Sequence, residues 1–178
     1  VCYDNEGYMN TGTQRSSASP AGAITSTTPV LAKLQHKKDM ARIVESHRLP
    51  YIATASPTYP LDLYDKMKTA KEIKGSRYIE VHAPCPPGWG FANKDLVKMG
   101  KLAVDTGIHV LYEILDGKFR LTGKSLRLVK RGERKPVASY LEGQTRFKRI
   151  TDDQISALQS FIDQRWTEFV ERHEKDNR

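Results

Sequence analysis

Twelve residues near the start of the chain, Tyr3-Asp4-Asn5-Glu6-Gly7-Tyr8-Met9-Asn10-Thr11-Gly12-Thr13-Gln14, gather amide, hydroxyl and carboxylate oxygens on a backbone broken by two glycines. Magnesium wants oxygen ligands in near-octahedral geometry and commonly shares them with bound phosphates. Asn5 Oδ1 and the Gly7 carbonyl stand two residues apart, a spacing at which a tight loop turns both oxygens toward one ion. Spacing alone fits an Asx-rich turn after a strand equally well, and that is the simpler reading.

Cys85 is the second residue with chemistry in prospect. It lies in Val81-His82-Ala83-Pro84-Cys85-Pro86-Pro87-Gly88-Trp89-Gly90, where three prolines fix the loop and aim the thiol. Iron–sulfur clusters need four thiolates, and the other cysteine, Cys2, sits between Val1 and Tyr3 as a small buried hydrophobe would. Two cysteines make no disulfide framework. The histidines, at 36, 47, 82, 109 and 173, lack metal-ligand spacing, and only His82 stands near Cys85, as a core histidine or a support for the site. Gly117 to Ser125 has five residues between its glycines where a P-loop needs four, and it is expected in a hairpin, as a turn.

These residues need a frame. Residues 1–4 read as the end of a strand whose earlier part lies upstream of Val1, and residues 5–30 as a long loop, a length usually tied to binding. Asp39 to Leu49 is predicted helical with Asp39 as N-cap, followed by a buried strand at Tyr51 to Thr54. Asp62 to Lys74 is predicted as a helix with Leu63, Met67 and Ala70 inward and its lysines outward; Tyr78 to His82 alternates as a strand. Strands alternating with helices predict an α/β fold, a mostly parallel sheet with flanking helices, whose ligands sit beyond the carboxyl ends of the strands. Residues 4–14, 55–59 and 83–89 occupy those ends.

After Trp89 the expectation is a helix at Asn93 to Asp105, a strand at Ile108 to Leu115, an Asp116-Gly117 turn and a second strand or hairpin arm over Phe119 to Val129. A last helix begins at Asp152 behind a Thr151/Gln154 capping box, with an apolar stripe from Ile155 to Phe169, and His173 to Arg178 fray. The character of the chain changes beyond Trp89, and the part from residue 93 onward reads as an extension ending in a hairpin and long helix. Net charge is +8, spread along the chain without an aromatic-interleaved binding motif, which weakens a nucleic-acid reading. An acidic electron carrier or neighbouring subunit explains the charge equally well, and a merely solvated surface is the simplest reading. No apolar run approaches the roughly 20 residues of a membrane span, and no basic leader opens the chain.

The run DNEGYMNTGTQRSSASPAGA resembles the second half of the thiamine-diphosphate motif in the pyruvate:ferredoxin oxidoreductase family, whose beta subunits carry that cofactor. The resemblance extends to Lys37-Lys38-Asp39, to Tyr51 through Ser56 and to Gln144-Thr145-Arg146-Phe147, and it marks the C-terminal part of such a subunit. It implies that residues 1–92 are the C-terminal half of the thiamine-diphosphate-binding domain, and 93–178 an extension packing on that domain and on partner subunits. It implies that Asn5 ligates magnesium by its side chain and Gly7 by its carbonyl. It places Tyr8, Thr11 and Gly12 along the cofactor and Asn10 beside the thiazolium ring as the catalytic group. Cys85 would be the remote ligand of a 4Fe-4S cluster. The opening Gly-Asp-Gly of the motif does not occur in this chain. Tyr8-Met9-Asn10-Thr11-Gly12-Thr13-Gln14 points to the pyruvate-like branch; a 2-oxoglutarate-type relative would read nearer Tyr-Gly-Met-Thr-Gly-Gly-Gln.

The activity implied is coenzyme A-dependent oxidative decarboxylation of pyruvate or a related 2-oxoacid. Thiamine diphosphate, Mg2+ and a 4Fe-4S cluster would serve as cofactors, with electrons leaving to ferredoxin. Implied partners are the alpha-, gamma- and delta-type subunits of a cytoplasmic complex, with neither nucleic acid nor membrane. Two alternatives stand beside it: the same chemistry on phenylglyoxylate, oxalate or a branched-chain 2-oxoacid, and a non-catalytic basic interaction subunit with the same fold.

Overall fold

Three parallel strands carry the first half of the chain: β1 (Cys2–Asp4), β2 (Tyr51–Ala55) and β3 (Arg77–His82), with β3 between the other two. All five residues of β2 are buried, as expected of a central strand covered on both faces. β4 (Tyr112–Leu115) joins β2 antiparallel, and β5 (Lys118–Leu121) joins β4 antiparallel, so β5 regains the direction of β1 to β3. The order is β1-β3-β2-β4-β5. Asp116 and Gly117 close the last hairpin at φ 48° and 81°, the paired left-handed geometry that a two-residue loop between twisted strands requires. The computed structural model describes residues 1–178.

Helices cover both faces. α1 (Met40–Glu45) starts where the Asp39 carboxylate accepts a hydrogen bond from the Arg42 amide at 3.0 Å, and it packs on the face bearing Ile52, Ile114 and Phe119. α2 (Pro60–Glu72) begins with proline, whose missing N–H costs nothing in a first turn. It lays Leu63, Met67 and Ala70 on the opposite face, against Ala53, Ala55 and Val81.

A third core lies at the carboxyl end of the parallel strands, among α3 (Pro86–Trp89), α4 (Leu96–Asp105), α6 (Ala138–Leu141) and the first half of α7 (Asp152–Asp176). Each large side chain fully buried there contributes about 1.5–3 kcal/mol. The Thr151/Gln154 capping box forms. The α7 stripe is core throughout: Leu158 and Ile162 enter this cluster, while Trp166 and Phe169 pack on the α1 face.

Three expectations need correction. The stretch after Leu121 is not strand: α5 (Gly123–Arg131) begins at once, with Ser125 and Leu128 buried three residues apart and Leu126 and Val129, also three apart, partly buried beside them. Gly117 to Ser125 therefore does run from a strand into a helix. The Ser125 hydroxyl accepts from the Leu111 amide, and the Asp62 carboxylate lies against Gly123, so the start of α5 already carries an anion.

The chain end does not fray. Asp176 accepts from the Phe119 amide at 3.0 Å, Asn177 donates to the Phe119 carbonyl at 2.8 Å, and His173 Nδ1 receives the Leu121 amide. These side chains satisfy the open edge of β5, an exposure that unprotected edge strands leave to aggregation. Finally, one lysine of α2 points inward. Lys66 is 2% exposed and donates to the Thr54 carbonyl, Asp62 and Thr122 at 2.6–2.7 Å. No helix is long and apolar enough to cross a membrane.

Candidate functional site

β1 and β3 end side by side, with Asp4 opposite His82 and the Ala83 amide donating to the Asp4 carbonyl at 2.8 Å. The segments that follow them, from Asn5 and from Ala83, therefore leave the sheet together. Asp4 Oδ1 accepts from the Glu6 amide at 2.9 Å and starts a tight turn, in which Glu6 adopts φ 65°. Tyr8 and Gln14 then pair across a small hairpin, exchanging both amide hydrogen bonds at 3.1 Å.

Asn5, Gly7 and Tyr8 line one cavity of about 230 Å3 together with Ser16, Ser17 and Lys37. That is smaller than the roughly 300 Å3 at which small-molecule pockets begin, as fits a part of a larger site. The Asn5 carboxamide takes no hydrogen bond within the protein; only its backbone carbonyl is engaged, by the Trp89 indole at 2.8 Å. A free carboxamide oxygen beside a bending backbone at a strand's carboxyl end suits a magnesium–diphosphate group. Asn10, Thr11 and Gly12 are apart from this cavity, on the exposed tip of the hairpin, where the Thr11 hydroxyl bonds Gln14.

Cys85 caps α3, is half-buried, and packs with Met9 at the rim of the third core. Gly88 makes this approach possible, since a Cβ there would overlap Met9 Sδ and lie 3.2 Å from Cys85 Sγ. No three His, Cys, Asp or Glu side chains converge on a common point. Cys85 has no second thiolate beside it in this chain, since Cys2 lies within β1.

The centre of the arrangement is Glu6. Its carboxylate is fully buried and receives Arg146 Nη2 at 2.7 Å, the Tyr140 hydroxyl at 3.1 Å, His82 Nε2 at 3.2 Å and Lys37 Nζ at 3.3 Å. Lys37 also pairs with Asp4. Burial pushes the Glu6 carboxyl upward, but Lys37, Arg146 and His82 outweigh it and hold the group well below its ordinary value. An ionised Glu6 only accepts, so His82 donates to it from Nε2, and His82 Nδ1 is buried without a partner.

Sequence reasoning passed over Glu6, Lys37, Trp89, Tyr140 and Arg146. Glu6 stood inside the motif, and Arg146 inside a stretch noted only for resemblance; no periodicity links them across 140 residues. The long loop is ordered by another buried cation, Lys33, which donates to the carbonyls of Ser17, Ser19 and His36.

Glu80, in the middle of β3, supplies a pH test. Burial, reinforced by Asp4 and Asp39 and opposed by Lys37, pushes its pKa up to about 7 from the usual 4.5. Between those values the folded state holds more protons than the unfolded one, so stability falls as pH rises through the window. Glu80→Gln should therefore raise Tm at pH 8, by about 1–3 kcal/mol of stability, and leave Tm nearly unchanged at pH 5. Equal shifts at both pH values in thermal melts would refute this.

A larger cavity lies elsewhere. It measures about 830 Å3, between α2 and α5, and the Asp62 carboxylate lies beside the start of α5 at its wall.

Residues 1–81 match the family of thiamine pyrophosphate enzymes through its C-terminal TPP-binding domain. Over 167 residues the chain is 45% identical to the pyruvate synthase subunit PorB of Methanothermobacter marburgensis, covering 92% of this chain and 56% of that protein. It is 41% identical over 170 residues to the ketoisovalerate oxidoreductase subunit VorB of Pyrococcus horikoshii, covering 93% and 53%. The chain thus spans about half the length of these curated relatives. A solved 2-oxoglutarate:ferredoxin oxidoreductase from Magnetococcus marinus overlaps 46% of this chain and 28% of its own at 26% identity, with a TM-score of 0.44, too low to bear on the topology.

Proposed function

The chain belongs to the thiamine-diphosphate-binding beta-subunit family of the 2-oxoacid:ferredoxin oxidoreductases, and from that premise we propose that it forms the C-terminal part of an enzyme for coenzyme A-dependent oxidative decarboxylation of pyruvate. The observation that carries the reading is the cavity at the end of β1, where Asn5, with its carboxamide free, and Gly7 face the same space. Asn5 Oδ1 and the Gly7 carbonyl are the magnesium ligands in this proposal, and Tyr8 borders the cofactor. Thiamine diphosphate, when bound, supplies the carbon nucleophile that lets a 2-oxoacid lose carbon dioxide. Thr11, Gly12 and the catalytic Asn10, exposed on the hairpin tip, face the thiazolium end. Cys85 would hold a 4Fe-4S cluster as one of its thiolates, and such a cluster would supply electron transfer toward ferredoxin.

Residues 1–92 form the C-terminal half of the cofactor domain, and 93–178 an extension that also meets partner subunits of alpha, gamma and delta type in a cytoplasmic complex. The 41% identity to a ketoisovalerate oxidoreductase subunit favours a second substrate reading, a branched-chain 2-oxoacid. The retained oxygen donors of Asn5 and Gly7 argue against a non-catalytic subunit.

Asn5→Ala in the assembled complex should weaken magnesium-dependent thiamine diphosphate binding by at least about tenfold, since even residues that only support metal ligands are worth that much. Wild-type affinity in a titration followed by calorimetry would remove the metal role of Asn5.

A further inference from the structure

We propose that Glu6, Arg146 and Trp89 form a closed brace that sets the direction of Asn5 and ties it to the segment bearing Cys85. They are positioning residues for the magnesium turn, an inference that rests on the ligand role given to Asn5 above. The brace closes in three contacts and one peptide bond. The Trp89 indole N–H donates to the Asn5 carbonyl at 2.8 Å. The Arg146 guanidinium lies 3.9 Å above the Trp89 ring. Its Nη2 is 2.7 Å from Glu6 Oε2, and Glu6 is bonded covalently to Asn5. Trp89 ends the short helix that Cys85 begins, so the same ring fixes both segments.

The turn itself does not ask for glutamate. At φ 65° a glycine would serve without strain, and asparagine or aspartate would tolerate the conformation better. A glutamate there is held by donors from four distant segments: Lys37 in the loop, His82 at the end of β3, Tyr140 in α6 and Arg146 just before α7. Its inward side chain takes up the buried side of the turn, leaving the neighbouring Asn5 and Gly7 on the cavity. Metal ligands keep their geometry only when such supports lock them, and losing a support typically costs 10- to 100-fold in metal affinity.

The experiment uses the full-length protein in its assembled complex, freed of cofactor and titrated with thiamine diphosphate at graded Mg2+ concentrations, with Tm measured alongside. Glu6→Gln and Trp89→Phe should each weaken apparent Mg2+ affinity by roughly 10- to 100-fold. Neither should add to the loss in Asn5→Ala when the substitutions are combined, because the brace acts through Asn5. Lys66→Met, which breaks a buried pair that shares no partner with the turn or the brace, should lower Tm and leave Mg2+ affinity at the wild-type value.

Folded Glu6→Gln and Trp89→Phe proteins with wild-type Mg2+ affinity would overturn the brace while Asn5→Ala still binds weakly. Additive losses in the double substitutions would overturn it too. Wild-type Mg2+ affinity in Asn5→Ala alone would instead sink the ligand reading beneath it. Should Glu6→Gln fail to fold, Trp89→Phe, which keeps the aromatic ring under Arg146 and removes one donor, decides the matter.

Discussion

Cys85→Ser is expected to abolish or reshape the spectrum of the proposed 4Fe-4S cluster nearest the thiamine site, and to slow electron delivery from the 2-oxoacid at least about 100-fold, the upper end of what supporting residues alone are worth at metal sites. A serine oxygen is a harder and far less acidic ligand than a thiolate, so the iron it would bind changes potential even where the cluster survives. The fold should hardly notice. Cys85 is half-buried at the rim of its core, and the substitution keeps the shape that Gly88 and Met9 accommodate. Cys2 offers the matched comparison: it lies within β1, opposite Glu80, and Cys2→Ser should leave the cluster spectrum as it was. Electron paramagnetic resonance of the reduced complex reads both. A normal spectrum in Cys85→Ser, with only a lowered Tm, would reduce Cys85 to a packing residue.

What the sequence made legible follows from how local each signal is. Asp39, the Asp116-Gly117 turn and the Thr151/Gln154 box act over two or three residues, and each does what its chemistry demands. The parallel strands were readable because β2 is a short, largely apolar run behind Pro50 and β3 alternates after Gly75. The position of Asn5 and Cys85 followed from the rule that sites gather at strand ends, and the structure brings their segments together through Trp89 and Met9. Glu6 was missed because its four partners lie 31 to 140 residues away, and charged residues carry no periodicity that announces burial. The exposed hairpin tip at Asn10 to Gly12 was equally invisible, since a motif names residues without saying which face solvent. The arm after Leu121 was misread for a different reason. Leu126-Arg127-Leu128 alternates as a strand would, and Ser125, whose hydroxyl takes the Leu111 amide, gives no hint by its type that it is buried one helical turn before Leu128.

Lys66 brings that lesson to its largest expected effect on stability. Lys66→Met should cost about 3–5 kcal/mol, the usual penalty for stranding one half of a buried ion pair. For a domain of this size that corresponds to a fall in Tm of roughly 10 °C. The ammonium joins three elements at once: the carbonyl of Thr54 in β2, Asp62 in the first turn of α2, and Thr122 where β5 gives way to α5. Burial pulls its pKa down and Asp62 pulls it back, so the pair exists because each charge answers the other. Removing Lys66 leaves the Asp62 carboxylate, 10% exposed, facing the start of α5 alone. Pairing the change with Asp62→Leu should return most of the loss, because an apolar pair of similar volume replaces a buried ion pair at little cost. Melting curves of the two single variants and the double test this directly. A double variant as unstable as Lys66→Met would show that the hydrogen bonds to Thr54 and Thr122, and not the charge pair, hold β2, α2 and α5 together.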